Sequence, residues 1–351
     1  MNSNFAQILN KAVTNQRLTR EDIITLLGAK PGEEQQRLFD LADQVRKEHH
    51  GDYVHLRGII EFSNHCRNDC FYCGLRRSNK DINRYRMTVE QVLEAANEAV
   101  ALGFKTIVLQ SGEDLWYDIN SLCEMVRQIK AKDDVAITLS VGERSAAEYY
   151  QLRQAGADRF LLKHETADES LFNRLRPGTS FSHRIKCLKW LKEAGFQVGS
   201  GNMIGLPGQT LATIADDILL LKQLDVEMAG IGPFIPHHQT PLAGEPPGDL
   251  ILAFKTLAVT RLLLPQTHLP ATTAAGTLHP QGRAMALKCG ANVIMPNATP
   301  LKYRQLYQIY PNKAGISDDP RQSLDNIVSL IHQSGREVAT NRGDSPKIKY
   351  N

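Results

Sequence analysis

Ile60-Glu61-Phe62-Ser63-Asn64-His65-Cys66-Arg67-Asn68-Asp69-Cys70-Phe71-Tyr72-Cys73 runs from a hydrophobic, strand-like segment into three cysteines spaced C-x3-C-x2-C. Three thiolates this close suit a cubane [4Fe–4S] cluster, whose fourth iron then lacks a protein ligand and is open to a small molecule. Structural zinc asks for four ligands at paired spacings, and no fourth local Cys or well-placed His follows; His65 adjoins Cys66 too closely to complete a tetrahedron. Cys66, Cys70 and Cys73 are therefore the candidate metal ligands, at the end of the first strand of a longer series.

From residue 54 onward, short apolar runs alternate with amphipathic stretches long enough for helices. Strands are predicted at 54–62, 106–110, 135–140, 160–164, 198–203, 228–232, 270–273 and 293–296, eight in all. Helices are predicted at 88–101, 119–130, 146–154, 181–193, 211–224 and 250–264. Glycine closes several helical units, as in Leu102-Gly103, Ala155-Gly156, Ala194-Gly195 and Cys289-Gly290. This rhythm predicts an α/β fold, a full (βα)8 TIM-type barrel, with an open barrel of six units as the alternative. Residues 4–50 read as helices lying across one end of the barrel without catalytic groups, and the stretch from Asn341 reads as a poorly ordered tail. The expected division is a helical extension at 1–50, the barrel at 51–311, and a C-terminal helix and tail at 312–351.

With 351 residues, 42% of them hydrophobic, the chain can bury a large core. A net charge of +3 is too mild to suggest nucleic-acid or membrane binding, though a small anionic ligand fits. Residues 1–9 lack the pattern of a signal peptide and no apolar run approaches a membrane span, so a cytoplasmic protein is expected. Six cysteines, three of them clustered, fit reduced thiols and a metal site better than a disulfide framework. A cluster with an open iron implies an anaerobic or oxygen-protected setting.

Barrel active sites sit at the C-terminal ends of the strands. Gln110-Ser111-Gly112-Glu113 follows the second strand, and Gly112 has no side chain to keep a ligand from the backbone. Glu165 ends the fourth strand and Arg184 lies on the following helix; together they could clamp a zwitterion, the bland alternative being a surface ion pair between Glu165 and Arg176. Gly199-Ser200-Gly201-Asn202-Met203-Ile204-Gly205 has its third glycine misplaced for a dinucleotide fingerprint and no partner acid, so it is expected to let backbone approach an adenosyl group instead. Thr138, Lys163, Thr272, Thr273 and Tyr307, with Ser140, would ring the mouth and suit a carboxylate-bearing substrate, with Lys163 as the charge; threonine in a strand is often only a β former. Cys123, Cys187 and Cys289 are expected as buried small hydrophobes and His237-His238 as solvent-facing, while His268 and His279 have no partner pattern.

The cysteine spacing, with Tyr72 just before the last cysteine, resembles the radical S-adenosylmethionine (SAM) enzymes. In those enzymes the position of Ser111-Gly112-Glu113 holds a Gly-Gly-Glu-like element that meets the SAM amino group; here Ser111 replaces the first glycine. Further segments closely resemble the HydE family, the radical SAM maturases of FeFe-hydrogenase: Ile60-Glu61-Phe62-Ser63-Asn64, Leu109-Gln110-Ser111-Gly112-Glu113-Asp114, His164-Glu165-Thr166-Ala167, Gly230-Ile231-Gly232-Pro233-Phe234-Ile235-Pro236-His237 and Asn292-Val293-Ile294-Met295-Pro296-Asn297. That resemblance runs to about Pro311 and implies one long cavity. It implies SAM contacts at Tyr72, Gln110, Ser111, Gly112, Glu165, Arg184 and Met228, and an anion-binding substrate region at Thr138, Lys163, Thr272, Thr273 and Tyr307.

The implied chemistry is reductive cleavage of SAM to a 5′-deoxyadenosyl radical that acts on a cysteine-ligated iron carbonyl cyanide precursor, during assembly of the hydrogenase active site. The implied partners are reduced ferredoxin or flavodoxin as electron donor, and the sister hydrogenase maturases. Some family members carry a second cluster on three cysteines near the C-terminus; no cysteine follows Cys289 here, so one cluster is expected. The other readings are a radical SAM enzyme of the methylornithine synthase or biotin synthase type, and a noncatalytic iron–sulfur carrier.

Overall fold

The segment leading to the cysteines is extended from Tyr53 to Leu56 and again from Gly58 to Ser63 in the computed structural model, which describes residues 3–14 and 16–348. Gly58–Ser63 pairs in parallel with Thr106–Ser111, and the sheet continues through Ala136–Ser140, Arg159–Leu161, Gln197–Ser200 and Met228–Ala229. Parallel bridges from Met228 to His268, Pro270 to Val293 and Ile59 to Asn297 carry the ring through its seventh and eighth members and back to the first. The barrel is closed, so the six-unit alternative is excluded. Gly58–Ser63 is largely buried on both faces, which is why it reads as a continuous apolar run instead of an alternating one.

The seventh strand is shorter than expected. Thr272 leaves it to cap the short helix Thr273–Leu278, its hydroxyl accepting from the Ala275 N–H at 3.3 Å. Capping also sets where the outer helices begin. Thr88, Ser145 and Thr210 form capping boxes at the heads of Val89–Ala101, Ala146–Gln154 and Leu211–Gln223, and Asp118, Ser180 and Asp249 cap Ile119–Lys132, Phe181–Glu193 and Leu250–Leu263.

Two expectations about the chain ends need correction. The N-terminal helices Ser3–Val13, Arg20–Leu27 and Glu33–His50 do not lie across an end of the barrel; they pad its flank against Leu211–Gln223 and Leu250–Leu263, burying Phe5, Ile8, Ile23, Leu26 and Leu38 in a shared core. The cause is visible in Leu250–Leu263, which is apolar almost all round and needs cover on its outer face as well as its inner one. The described part of the tail, residues 341–348, is not loose but plugs the floor of the barrel, its last three residues lying outside the described residues. Asp344 pairs with Arg159 at 2.6 Å and accepts from Gln197 at 2.8 Å, and the Arg342 carbonyl accepts from Thr106 and Arg159 at 2.8 and 2.7 Å. Cationic Arg57 and Arg159 are almost fully buried in that floor, and the tail supplies the anion and carbonyls that such burial demands. Among the described residues no helix is long and apolar enough to cross a membrane.

The same floor holds an imidazole cluster: His268 lies 5.2 Å from His50 and 5.1 Å from His55, ring centre to ring centre. Burial, reinforced by Arg261 beside His50 and Arg57 beside His55, holds both groups near a pKa of about 3, far below the ordinary 6.5. Protons therefore bind the unfolded chain first, so the stability these groups contribute is complete above pH 6.5 and is lost as pH falls toward 3. Going from pH 7.5 to 5.5 should remove about 1 kcal/mol per histidine. Urea midpoints of the metal-free protein at the two pH values measure this, and His55→Gln should flatten the difference.

Candidate active site

The loop after the first strand carries the three cysteines and is fastened from several sides. Arg67 N–H donates to the Glu113 carbonyl at 2.9 Å, while the Glu113 carboxylate accepts from Arg67 Nε at 2.6 Å and Asn68 Nδ2 at 3.0 Å. Phe71 N–H reaches the Leu175 carbonyl, Gly74 N–H reaches the Ile309 carbonyl, and Asp69 pairs with Arg76 at 2.8 Å. Gly112 was expected to clear the way for a ligand. Its missing side chain instead makes room for this loop: a Cβ there would stand 2.2 Å from the His65 carbonyl oxygen and 2.9 Å from Cys66 Cβ.

Cys66, Cys70 and Cys73 line one end of an internal cavity of about 390 Å³. Burial pushes the Cys66 and Cys73 thiols well up, and the neighbouring cysteine charges push the same way. Thiols such as Cys66 and Cys73 that resist ionising alone become good thiolates beside a multivalent cation, and with Cys70 lining the same end of the cavity the donor set fits an iron–sulfur cluster. Cys123, Cys187 and Cys289 are buried elsewhere, on or just after outer helices, and none lines the cavity.

Tyr72, Gln110, Ser111, Gly112, Glu165, Arg184 and Met228 all line the same cavity, so seven residues scattered over more than 150 positions converge on the cysteines. Glu165 has φ +68°, a left-handed conformation that a side chain adopts at a cost, and among the described residues its carboxylate makes no hydrogen bond or ion pair. Backbone bonds explain the turn: Glu165 N–H donates to the Gly201 carbonyl and its own carbonyl accepts from Met203, each near 3 Å. Glu165 and Arg184, expected to clamp a zwitterion together, both line the cavity, and the alternative of an ion pair between Glu165 and Arg176 is not found among the described residues. Arg184 is held at 2.6 Å by both Glu143 and the Lys163 carbonyl, and Arg176 donates to the Tyr72 hydroxyl at 2.7 Å. Glu165 is thus left free for a ligand. The Met228 sulfur accepts from Arg57 at 3.0 Å, at the base of the cavity.

Further along the cavity lie Lys163, Thr272, Thr273 and Tyr307. Burial lowers the Lys163 pKa, nearby Glu165 opposes that, and among the described residues the ammonium has no ion pair. Tyr307 accepts from Gln110 at 3.3 Å and stacks under Lys313, which pairs with Glu61. Thr138 does not reach this cavity; it faces a small void one layer lower, beside Arg57, Arg159 and His268. Of the glycine-rich stretch Gly199–Gly205, Met203 lines the cavity and Gly201 does not; the missing Gly201 side chain makes room for the Gly230 carbonyl oxygen, 2.1 Å from where its Cβ would stand. His237 is buried, not solvent-facing: its loop folds over the cysteines, Leu242 N–H reaching the Phe71 carbonyl at 3.3 Å, and burial next to His238 lowers its pKa to about 4.

Sequence reading gave no role to Glu143, nor to Arg283, Tyr310 and Lys313, which line the cavity, and took Arg176 only as a surface partner for Glu165. Glu143 had a usable signal, since Ser140-Val141-Gly142-Glu143 follows its strand much as Gln110-Ser111-Gly112-Glu113 does. The others sit on short helices and loops whose path only the fold reveals.

Comparison with known proteins settles the family. The Radical SAM superfamily model matches residues 60–221. The [FeFe] hydrogenase maturase subunit HydE of Thermotoga maritima is 49% identical over 342 residues, covering 97% of this chain and 98% of that one. The chain belongs to the HydE family of radical SAM enzymes. More distant is 3-methylornithine synthase of Methanosarcina barkeri, 31% identical over 83% of this chain and 82% of its own length. Among solved structures, a methylornithine synthase superimposes with a TM-score of 0.84 at 28% identity, over 95% of this chain and 97% of that one. HydG, a maturase of the [FeFe]-hydrogenase, shares the fold at a TM-score of 0.81 and 18% identity, over 96% of this chain and 76% of its own. Membership of the HydE family makes the chain a radical SAM enzyme and implies a [4Fe–4S] cluster and SAM.

Proposed function

We propose that the protein cleaves SAM reductively and directs the resulting 5′-deoxyadenosyl radical at a cysteine-ligated iron carbonyl cyanide precursor in FeFe-hydrogenase maturation. The observation that carries this reading is continuity: three cysteines, a free carboxylate at Glu165 and a free ammonium at Lys163 share one cavity of about 390 Å³. Such a cavity can hold SAM at the cysteine end and an anionic partner against it.

Cys66, Cys70 and Cys73 would hold one [4Fe–4S] cluster, which when bound supplies the electron that splits the SAM C5′–S bond. Arg184, oriented by Glu143, would take the SAM carboxylate, and Glu165 a positively charged or hydroxyl group of the same molecule. Tyr72, Gln110, Ser111, Gly112 and Met228 would complete the pocket by shape and polar contact. Lys163, Thr272, Thr273 and Tyr307 would receive the substrate, while Thr138, one layer below, falls outside that set. The separate burial of Cys123, Cys187 and Cys289 supports a single cluster. A reduced ferredoxin or flavodoxin and the sister maturases remain the partners that family membership suggests.

The test is mass spectrometry of adenosyl products from the anaerobically reconstituted, reduced protein with SAM, with and without the iron carbonyl cyanide species. An adenosyl adduct formed only with that species is expected. SAM cleavage indifferent to it would sink the substrate assignment, and no cleavage from a fully loaded cluster would favour the carrier reading. In the same assay Lys163→Met should raise KM for the anionic substrate about 10- to 100-fold, with SAM affinity changed less than about twofold.

A further inference from the structure

Cys66 lines two spaces at once: the internal cavity, and a separate outward-facing pocket of about 400 Å³. Five cations line that outer pocket, Arg67, Arg77, Lys80, Arg84 and Arg86, against the two carboxylates of Glu113 and Asp114. The carboxylates are already spoken for, by Arg67 and by Arg86. Arg84 gives its guanidinium to the carbonyls of Asn64, Leu75, Arg76 and Asn79 and is near enough to Cys66 and Cys73 to interact electrostatically with their sulfurs. Arg77 and Lys80 are exposed and, among the described residues, form no ion pair. Two exposed charges without an ion-pair partner, those of Arg77 and Lys80, thus gather where a cluster cysteine meets the outside, on a chain whose whole net charge is only +3. Leu115 lines the pocket and Trp116 follows it in the chain, 49% and 62% exposed, an apolar pair set against the basic surface.

We propose that this basic pocket, with Leu115 and Trp116 beside it, is the docking surface for a small acidic one-electron carrier protein, and that electrons enter across Cys66. The inference rests on the function proposed above, which requires one electron per turnover at the cysteines. The carrier gives up one electron and the cluster accepts it; no atom changes hands. Transfer falls off steeply with distance, so it favours a cluster cysteine that itself lines a solvent-open pocket, as Cys66 does. Uncompensated cations there attract an acidic protein and orient it, while a small apolar contact lets it dock and leave again. A nucleic acid is the poorer occupant, because the cations surround a concave pocket and do not form a stripe along which a backbone could run.

The test compares the reconstituted protein with its Arg77→Glu/Lys80→Glu double variant, using an acidic ferredoxin as probe, by titration calorimetry at low and high salt and by SAM cleavage driven by the ferredoxin or by dithionite. Affinity for the ferredoxin should fall about tenfold or more in the variant and with added salt. Ferredoxin-driven cleavage should fall in step while dithionite-driven cleavage and iron content stay unchanged. Unaltered ferredoxin affinity in the variant, or an equal fall in dithionite-driven cleavage, would overturn the assignment. If the unaltered protein failed to cleave SAM with dithionite, the proposed function would fail, and the binding titration would still judge the surface.

Discussion

Replacing Gly112 with alanine is expected to strip the reconstituted protein of most of its iron although all three cysteines remain. The new Cβ would stand 2.2 Å from the His65 carbonyl oxygen, a main-chain atom that cannot rotate aside, and 2.9 Å from Cys66 Cβ. Gly112 cannot retreat either, because its N–H is bonded to the Ser63 carbonyl at 2.9 Å. The strain must therefore move His65 and Cys66. Metal–thiolate bonds hold only within about 0.2 Å of their ideal lengths, so a shift of the Cys66 sulfur is paid for in cluster occupancy. Iron below about a quarter of the normal content is expected, with about 1–3 kcal/mol lost from the metal-free fold by overpacking. Iron and sulfide analysis with chemical denaturation checks both, and Ser111→Ala, which leaves the backbone alone, should keep its iron. Normal iron in the Gly112→Ala protein would show that the loop can yield, contrary to this account.

Arg184→Met is expected to weaken SAM binding about 100-fold while leaving the cluster in place, the loss of a charge-assisted contact of about 3 kcal/mol. The substitution has a second, structural effect that must be separated from the first. Glu143 and Arg184 are both almost wholly buried and lie 2.6 Å apart, so removing the cation leaves a buried carboxylate with only His183, 3.8 Å away, beside it. That costs about 3 kcal/mol of stability. Adding Glu143→Gln removes the orphaned charge, so the double variant should recover most of the stability and none of the SAM affinity. Titration calorimetry with SAM and urea unfolding read the two effects independently. A noncatalytic iron–sulfur carrier would show the stability change without losing any function.

The route from chain to site was partly legible in advance. The cysteine loop, the position of Glu165 and the sites following the strands could be read because each depends on local order: a short strand, a turn, and then a polar residue at the barrel mouth. The partners of those residues could not. Arg184 was read, with Glu165, as half of a clamp on a zwitterion, but nothing along the chain showed that Glu143, 41 positions away, orients it. A buried guanidinium takes whichever carboxylate the crossover geometry brings alongside, and that geometry is set by strand stagger, which leaves no mark on either segment. Thr138 and Lys163 looked equivalent as strand-end polar residues, but a difference of one layer in depth puts the first against the floor and the second in the cavity.

The sequence by itself determined the alternation of strands and helices and the cysteine spacing that suits a cluster, because these follow from periodicity and spacing along the chain, and its motifs carried the resemblance that pointed to the family. Only the tertiary structure decided that Gly112 serves the cysteine loop, that Glu165 is left unpaired, and that Asp344 in an apparently loose tail neutralises Arg159 in the barrel floor. Each of these joins atoms far apart in the chain, and their energies of close contact and charge depend on distances that exist only once the barrel has closed.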